Sequence, residues 1–320
     1  MVNYSVLALS LFLACLTSNA TADTAKESID ALNASVLRVH VNLPNGKHGL
    51  GSAVVVAKNQ VVTSCHVVNE AKDVSVMVNG VSYVASAIKP DWRHDICILT
   101  VDNLNVPEVK LGASNELHYE DPLFTVGYPD EVKSPVNTYG VVKGLFPMDD
   151  SVIIRATSTF RKGASGGGAF DTAGNLIGII TVKSRGDEAY YYYVPVEWVK
   201  MLLKKPTQVL GLKSEAPFWA NAPTQRPYFM QVTYPYLNQD WKDLLKVATK
   251  WVDAEPNNAE SWFYLALAEY AVKDYPKAKE HIVKVLSLDN THKEAISYLD
   301  KLTNQTLARQ NYTINLAFLN

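Results

Sequence analysis

Three short windows hold residue types that can act together as a nucleophile, a base and an orienting acid. "VVTSCHVV" (61–68) carries an apolar run onto His66, "HDICILTV" (94–101) sets Asp95 ahead of a second apolar run, and "RKGASGGGAFD" (161–171) places Ser165 among glycines. A serine hydroxyl is a weak nucleophile until a neighbouring base takes its proton. Neutral imidazole can be that base, while a carboxylate on its other nitrogen fixes the tautomer and stabilises the imidazolium that forms. Glycines around the serine keep side-chain bulk away from an incoming carbonyl and let backbone N–H groups converge on an oxyanion. Singly, each window also has an ordinary reading: a histidine packed beside β-branched residues, a carboxylate at a strand end, a flexible loop.

The windows agree in order, His66, Asp95, Ser165, and each falls at the edge of a strand. That order is the one found in the chymotrypsin class and not in subtilisins or α/β-hydrolases. "TSCHVV", "DICIL" and "GASGGGAFDTAGNLIGI" resemble the trypsin-like serine peptidases, above all their bacterial HtrA-type branch, over about 35–200. The resemblance implies an all-β double barrel with its active site in the cleft between barrels. Ser165 would be the nucleophile, His66 the general base and acid, and Asp95 the group that orients the imidazole. The N–H groups of Gly163 and Ser165 would form the oxyanion hole.

Departures from that family carry information as well. Ala164 stands where digestive trypsins have an aspartate that pairs with a new N-terminus, so activation by N-terminal insertion is not expected. Thr159, six positions before Ser165, replaces their acidic pocket residue; a buried Lys or Arg at P1 would go unpaired. Thr181, Lys183 and Tyr191 are expected as pocket walls, their bulk favouring small apolar P1 residues. Polypeptides are the expected substrates.

Other chemistry-bearing residues fit no second constellation. His94 adjoins Asp95, but neighbours on a strand point to opposite faces, and Asp91 and Asp102 are expected to be solvated. The remaining histidines lack metal-ligand spacing, no phosphate-loop or dinucleotide motif occurs, and neither cofactor nor metal is assigned. Cys65 and Cys97 lie inside two of the windows, one directly before His66 and the other two residues after Asp95. A disulfide and a pair of buried thiols both stand, since the Cβ separation cannot be read from sequence.

The elements that must position these residues follow from patterning. From Ser35 to about Val199, short β-rich runs alternate with Gly, Pro, Asn and Asp turns, as in an all-β sandwich or barrel. "FDTAGNLIGII" reads as a hairpin turning at Gly174-Asn175, and "VEWVKMLLKK" as a closing helix. Five prolines across 206–237 exclude a continuous helix or central strand and mark a linker that wraps or spaces the domains. From 238 to 307 apolar residues step by three and four, giving a small all-α domain. "EPNNAESWFYL" and "DNTHKEAISYL" begin at Glu255 and Asp289, a period of about 34 residues, which resembles a tetratricopeptide repeat. Trp262, Leu265, Ala266 and Ala278 match that pattern while Glu269 and Ile282 depart from it, and an unrelated helical cap is the competing reading. Residues 308–320 form a tail without a pattern.

The chain has 320 residues, is 48% hydrophobic and 19% charged, and carries a formal net charge of -2. That composition suits a globular chain with a sizeable core and gives no polybasic signal for nucleic acid or anionic lipid. Residues 1–22 read as a signal peptide: "VLALSLFLACL" is too short to span a bilayer, and Ala20 and Ala22 form an A-x-A cleavage pattern. Export to the periplasm or medium follows, with a lipid anchor on Cys15 as the variant reading. The mature protease region would then run over 23–205. The rival in function is a catalytically silent or latent protease-like scaffold whose helical repeats bind a partner protein.

Overall fold

The computed structural model describes residues 29–184, 189–210 and 215–304. The segment read as a signal peptide, Cys15 and the tail lie outside the described residues. Twelve strands form two closed antiparallel barrels. The first contains β1 (Val36–Asn42), β2 (His48–Ala57), β3 (Gln60–Ser64), β4 (Asp73–Val78), β5 (Val81–Asp91) and β6 (Ile96–Val101), closed in the order β1-β2-β3-β6-β5-β4. The second contains β7 (Pro122–Gly127), β8 (Val136–Met148), β9 (Ser151–Ala156), β10 (Gly168–Asp171), β11 (Leu176–Lys183) and β12 (Tyr191–Pro195), closed as β10-β11-β12-β9-β8-β7.

Several strands read as continuous apolar runs because both of their faces are covered. Along β6, Cys97, Leu99 and Val101 pack inside the first barrel, while Ile96 and Ile98 join the core shared with the second barrel. Residues alternate faces along a strand, so burying both faces removes the polar partner of each apolar position. The expected hairpin is present between β10 and β11. Gly174 takes φ +79°, and the Asp171 carboxylate accepts from the N–H groups of Ala173 and Asn175, closing the turn.

One expected strand is shorter than its apolar run. β3 ends at Ser64, and Cys65–Val68 forms a single helical turn, α1, so His66 sits on a helix turn and not on a strand edge. Helix α2 (Val196–Leu203) packs against both barrels and buries Trp198.

The Pro-rich stretch wraps the barrels and is itself packed. Its short helical turns, Tyr228–Gln231 and Thr233–Leu237, lie in series, and Phe218, Phe229 and Val232 are buried. The helical domain follows with α3 (Trp241–Ala254), α4 (Ala259–Ala271), α5 (Tyr275–Leu288) and a further helix over 293–304. Asp240, Asn258 and Asp274 cap α3, α4 and α5 by accepting a backbone N–H from the first turn. Helix α4 lies between α3 and α5 and is buried along most of its length, which explains its weak amphipathic pattern.

Helices and second barrel are bonded as well as packed. Phe146 on β8 stacks on Phe229 at 4.6 Å. Arg155 on β9, which is buried, donates to the Tyr264 hydroxyl of α4 at 2.5 Å and to the Lys143 carbonyl, and lies over the rings of Phe146 and Tyr190.

Candidate active site

Asp95 is the fixed point of the site. It occupies the turn between β5 and β6 with φ +60°, a left-handed conformation that aspartate tolerates better than most residues, and its side chain is fully buried. That backbone folds the carboxylate back onto α1. Oδ1 accepts the backbone N–H of His66 at 2.8 Å, and Oδ2 accepts the imidazole Nδ1 at 2.7 Å. Two further donors reach Oδ2: the Thr181 hydroxyl at 2.5 Å and the Trp219 indole N–H at 3.1 Å. A buried carboxylate needs such donors to offset its lost hydration. With Nδ1–H held by Asp95, Nε2 of His66 is left as the acceptor, the form a general base requires.

Cys65 and Cys97 form a disulfide with Cα atoms 4.9 Å apart, which decides between the two readings of that pair. Cys65 directly precedes His66 and Cys97 lies two residues after Asp95, so the bridge ties the two segments of the pair together.

The neighbouring residue His94 is excluded from that pair for a different reason than strand alternation. Residues 92–95 are a turn, and His94 bonds Asp91 through Nδ1 at 2.7 Å and Asp149 through Nε2 at 2.9 Å, stacked on Trp198. Asp91, expected in solvent, is thereby a partner. Asp149 belongs to the β8–β9 turn, so this cluster clamps one barrel to the other just behind Asp95. Burial opposes protonation of His94, but its hydrogen bonds to the two carboxylates outweigh that and raise its pKa above the ordinary histidine value. A raised folded-state pKa adds stability in full below the unfolded value of about 6.5 and loses it as pH rises through the folded value. Asp149→Asn is therefore expected to lower the melting temperature more at pH 6 than at pH 8.5. With Asp149 more than a third exposed, the difference is about 1 kcal/mol or less. Equal losses at the two pH values would refute the clamp.

Ser165 lies on the turn 163–167, which is docked against β2 and β3. Its carbonyl accepts from the N–H of Ser52 at 2.8 Å, and Gly166 donates to the Ile180 carbonyl at 2.9 Å. Gly166 has φ +86°, and a Cβ there would stand 2.2 Å from the Ser52 carbonyl and 2.3 Å from the Thr63 hydroxyl, so only glycine allows the approach. This docking brings Ser165 beside the end of β3, from which α1 presents His66. Among the described residues the Ser165 hydroxyl makes no hydrogen bond to the imidazole; such contacts often tighten only with substrate.

The turn also presents free N–H groups. The Lys162 carbonyl accepts from the Asp130 N–H at 2.6 Å, and all described peptide bonds are trans. In a trans peptide the N–H points opposite to the carbonyl, so the Gly163 N–H faces away from Asp130. Ser52 Oγ donates to the Gly163 carbonyl at 2.9 Å and fixes the next peptide. Among the described residues, the N–H groups of Gly163 and Ser165 bond no protein carbonyl.

Residues 51–179 match the family model described as the trypsin-like peptidase domain. Two curated relatives are described as probable periplasmic serine endoproteases, DegP-like. That of Buchnera aphidicola is 30% identical over 175 residues, 51% of this chain and 37% of its own length. That of Ectopseudomonas mendocina is 32% identical over 157 residues, 46% of this chain and 33% of its own length. The double barrel has the trypsin-like fold, and over residues 51–179 the chain is similar to trypsin-like peptidase domains, the DegP-like relatives among them. Among solved structures, the active form of the Rv3671c protease from M. tuberculosis aligns with TM-score 0.54 and 20% identity, over 58% of this chain and 88% of that one. An HtrA-type protease, AlgW with tripeptide, aligns with TM-score 0.51 and 24% identity, over 56% of this chain and 62% of that one. At such identities these two structures show the fold alone. The chain spans about a third of the length of the curated relatives it matches.

Beside the Ser165 turn of the trypsin-like domain is an open cavity of about 510 Å³. Thr159, Lys183 and Tyr191, three of the residues read as pocket walls, line it together with Thr138 and Arg161. Thr181 does not, because its hydroxyl is committed to Asp95 on the other side of the strand. The residues missed in sequence are Thr181 in this second setting, Ser52 beneath the turn, and Trp219. Trp219 comes from the Pro-rich stretch, where no local pattern marks it.

Proposed function

We propose that this chain is an exported serine endopeptidase that hydrolyses peptide bonds through an acyl-enzyme. The carrying observation is the buried carboxylate–imidazole pair, Asp95 Oδ2 to His66 Nδ1 at 2.7 Å, beside a glycine turn bearing a half-exposed serine. His66 takes the Ser165 proton as the hydroxyl attacks the scissile carbonyl. Asp95 holds the tautomer and stabilises the imidazolium. The oxyanion is met by the N–H groups of Gly163 and Ser165, each contributing about 2.7–4 kcal/mol to lowering the barrier. His66 then protonates the leaving amine and activates water to release the acyl group.

Arg161 and Lys183 beside Thr159 make the cavity unfavourable for a cationic P1 side chain, consistent with small apolar residues there. The disulfide suits an oxidising compartment, and the relatives' printed description as periplasmic agrees with export. No described helix is long and apolar enough to cross a membrane. The helical domain serves to recruit a polypeptide, a role for which Val283 and Ile296, exposed on its outer helices, are available. The test is labelling with a fluorophosphonate probe beside Ser165→Ala. Labelling confined to the unsubstituted protein is the expected result; equal silence would favour a silent or latent scaffold.

A further inference from the structure

The Pro-rich stretch does more than join the barrels to the helices. It is anchored beside the site by a backbone bond, Phe218 N–H to the Arg93 carbonyl at 2.9 Å, with the Phe218 ring buried in the large core. That anchor sets the next residue, Trp219, over the pair. Its indole N–H donates to Asp95 Oδ2 at 3.1 Å, and its ring meets the imidazole of His66 edge-on, centroids 5.4 Å apart and planes at 88°.

We propose that Trp219 is a positioning residue of the active site, supplied by the segment that leads into the helical domain. The inference rests on the triad reading and deepens it. Oδ2 of Asp95 has three donors, and they divide its negative charge between them. Each donor other than His66 weakens the pull that Asp95 exerts on the imidazole proton. The indole therefore limits how strongly the imidazolium is favoured, while its ring restricts rotation of His66. Charged and titratable groups nearby engage elsewhere: His94 with Asp91 and Asp149, and Arg93 with Asp149. Among the described residues, the one ion-pair contact of Asp95 is with His66.

Trp219→Phe keeps an aromatic ring and removes the donor. On the intact chain, the variant is expected to lose about 3–10-fold in kcat/KM at pH 6 but less than about 2-fold at pH 9, with KM little changed. The acid limb of the profile moves upward because the imidazolium is held more strongly. In proton NMR of the resting protein, the His66 Nδ1–H resonance should move downfield as its bond to Asp95 shortens. A purely structural role predicts a loss independent of pH and an unmoved Nδ1–H resonance, and that result would overturn the inference. The resonance decides the role of Trp219 even if the purified chain hydrolyses nothing, an outcome that would instead sink the catalytic reading.

Discussion

Asp95→Asn is expected to cut kcat by about 10³–10⁴-fold while leaving KM nearly unchanged. The geometry explains why so small a change costs so much. Oδ2 faces three donors, and Oδ1 faces the backbone N–H of His66. An amide NH₂ in either place meets a donor. If it replaces Oδ2, it can be accommodated by the imidazole only as a donor to Nδ1, which shifts the ring proton to Nε2 and removes the base. If it replaces Oδ1, it opposes the His66 N–H and pushes α1 away from the turn. Both outcomes disarm His66 without disturbing the substrate cavity, so the loss should appear in turnover. Steady-state kinetics on a peptide substrate checks it, and a variant retaining a tenth of the rate would contradict the proposed role.

The largest effect on stability is expected from Arg155→Ala. The guanidinium is buried between β8, β9 and α4, bonded to the Tyr264 hydroxyl and the Lys143 carbonyl. Burial opposes its charge, and the nearby Glu260 carboxylate favours it. Truncation removes the donor shared by the Tyr264 hydroxyl and the Lys143 carbonyl and opens a cavity beside the rings of Phe146 and Tyr190. A loss of about 3–5 kcal/mol follows, read as a fall in the urea midpoint. Arg155→Lys should recover little, because one ammonium cannot reach two acceptors in the planar fork geometry. Full recovery by lysine would show that charge alone is what the site requires.

Most of the double barrel and the His66–Asp95 pair were legible because their signals are local. A glycine-flanked serine, a histidine closing an apolar run and an acid opening the next one are each contained in a few residues. What was not legible depends on register or on distance along the chain. Thr181 and Lys183 share a face in a regular strand, and both were expected in the pocket. A bulge between Ile180 and Val182 separates them, leaving Lys183 at the cavity and Thr181 on Asp95. The helical turn at Cys65–Val68 continues the apolar run of β3, and four residues are too few for periodicity to tell helix from strand. The disulfide depends on a Cβ separation that only the pairing of β3 with β6 fixes, Thr63 standing opposite Cys97. Trp219 reaches Asp95 across 124 positions from a stretch whose prolines announce irregular chain and nothing more.

One apolar cluster extends from Val36 and Ile96 in the first barrel, through Phe146 and Tyr192 in the second, to Trp251 and Leu302 among the helices. Side chains that interlock this way cannot be inherited piecemeal. The helical portion is no cassette to be traded between enzymes: a change on one side of the seam has to be matched by a change on the other, and the two have to evolve as partners.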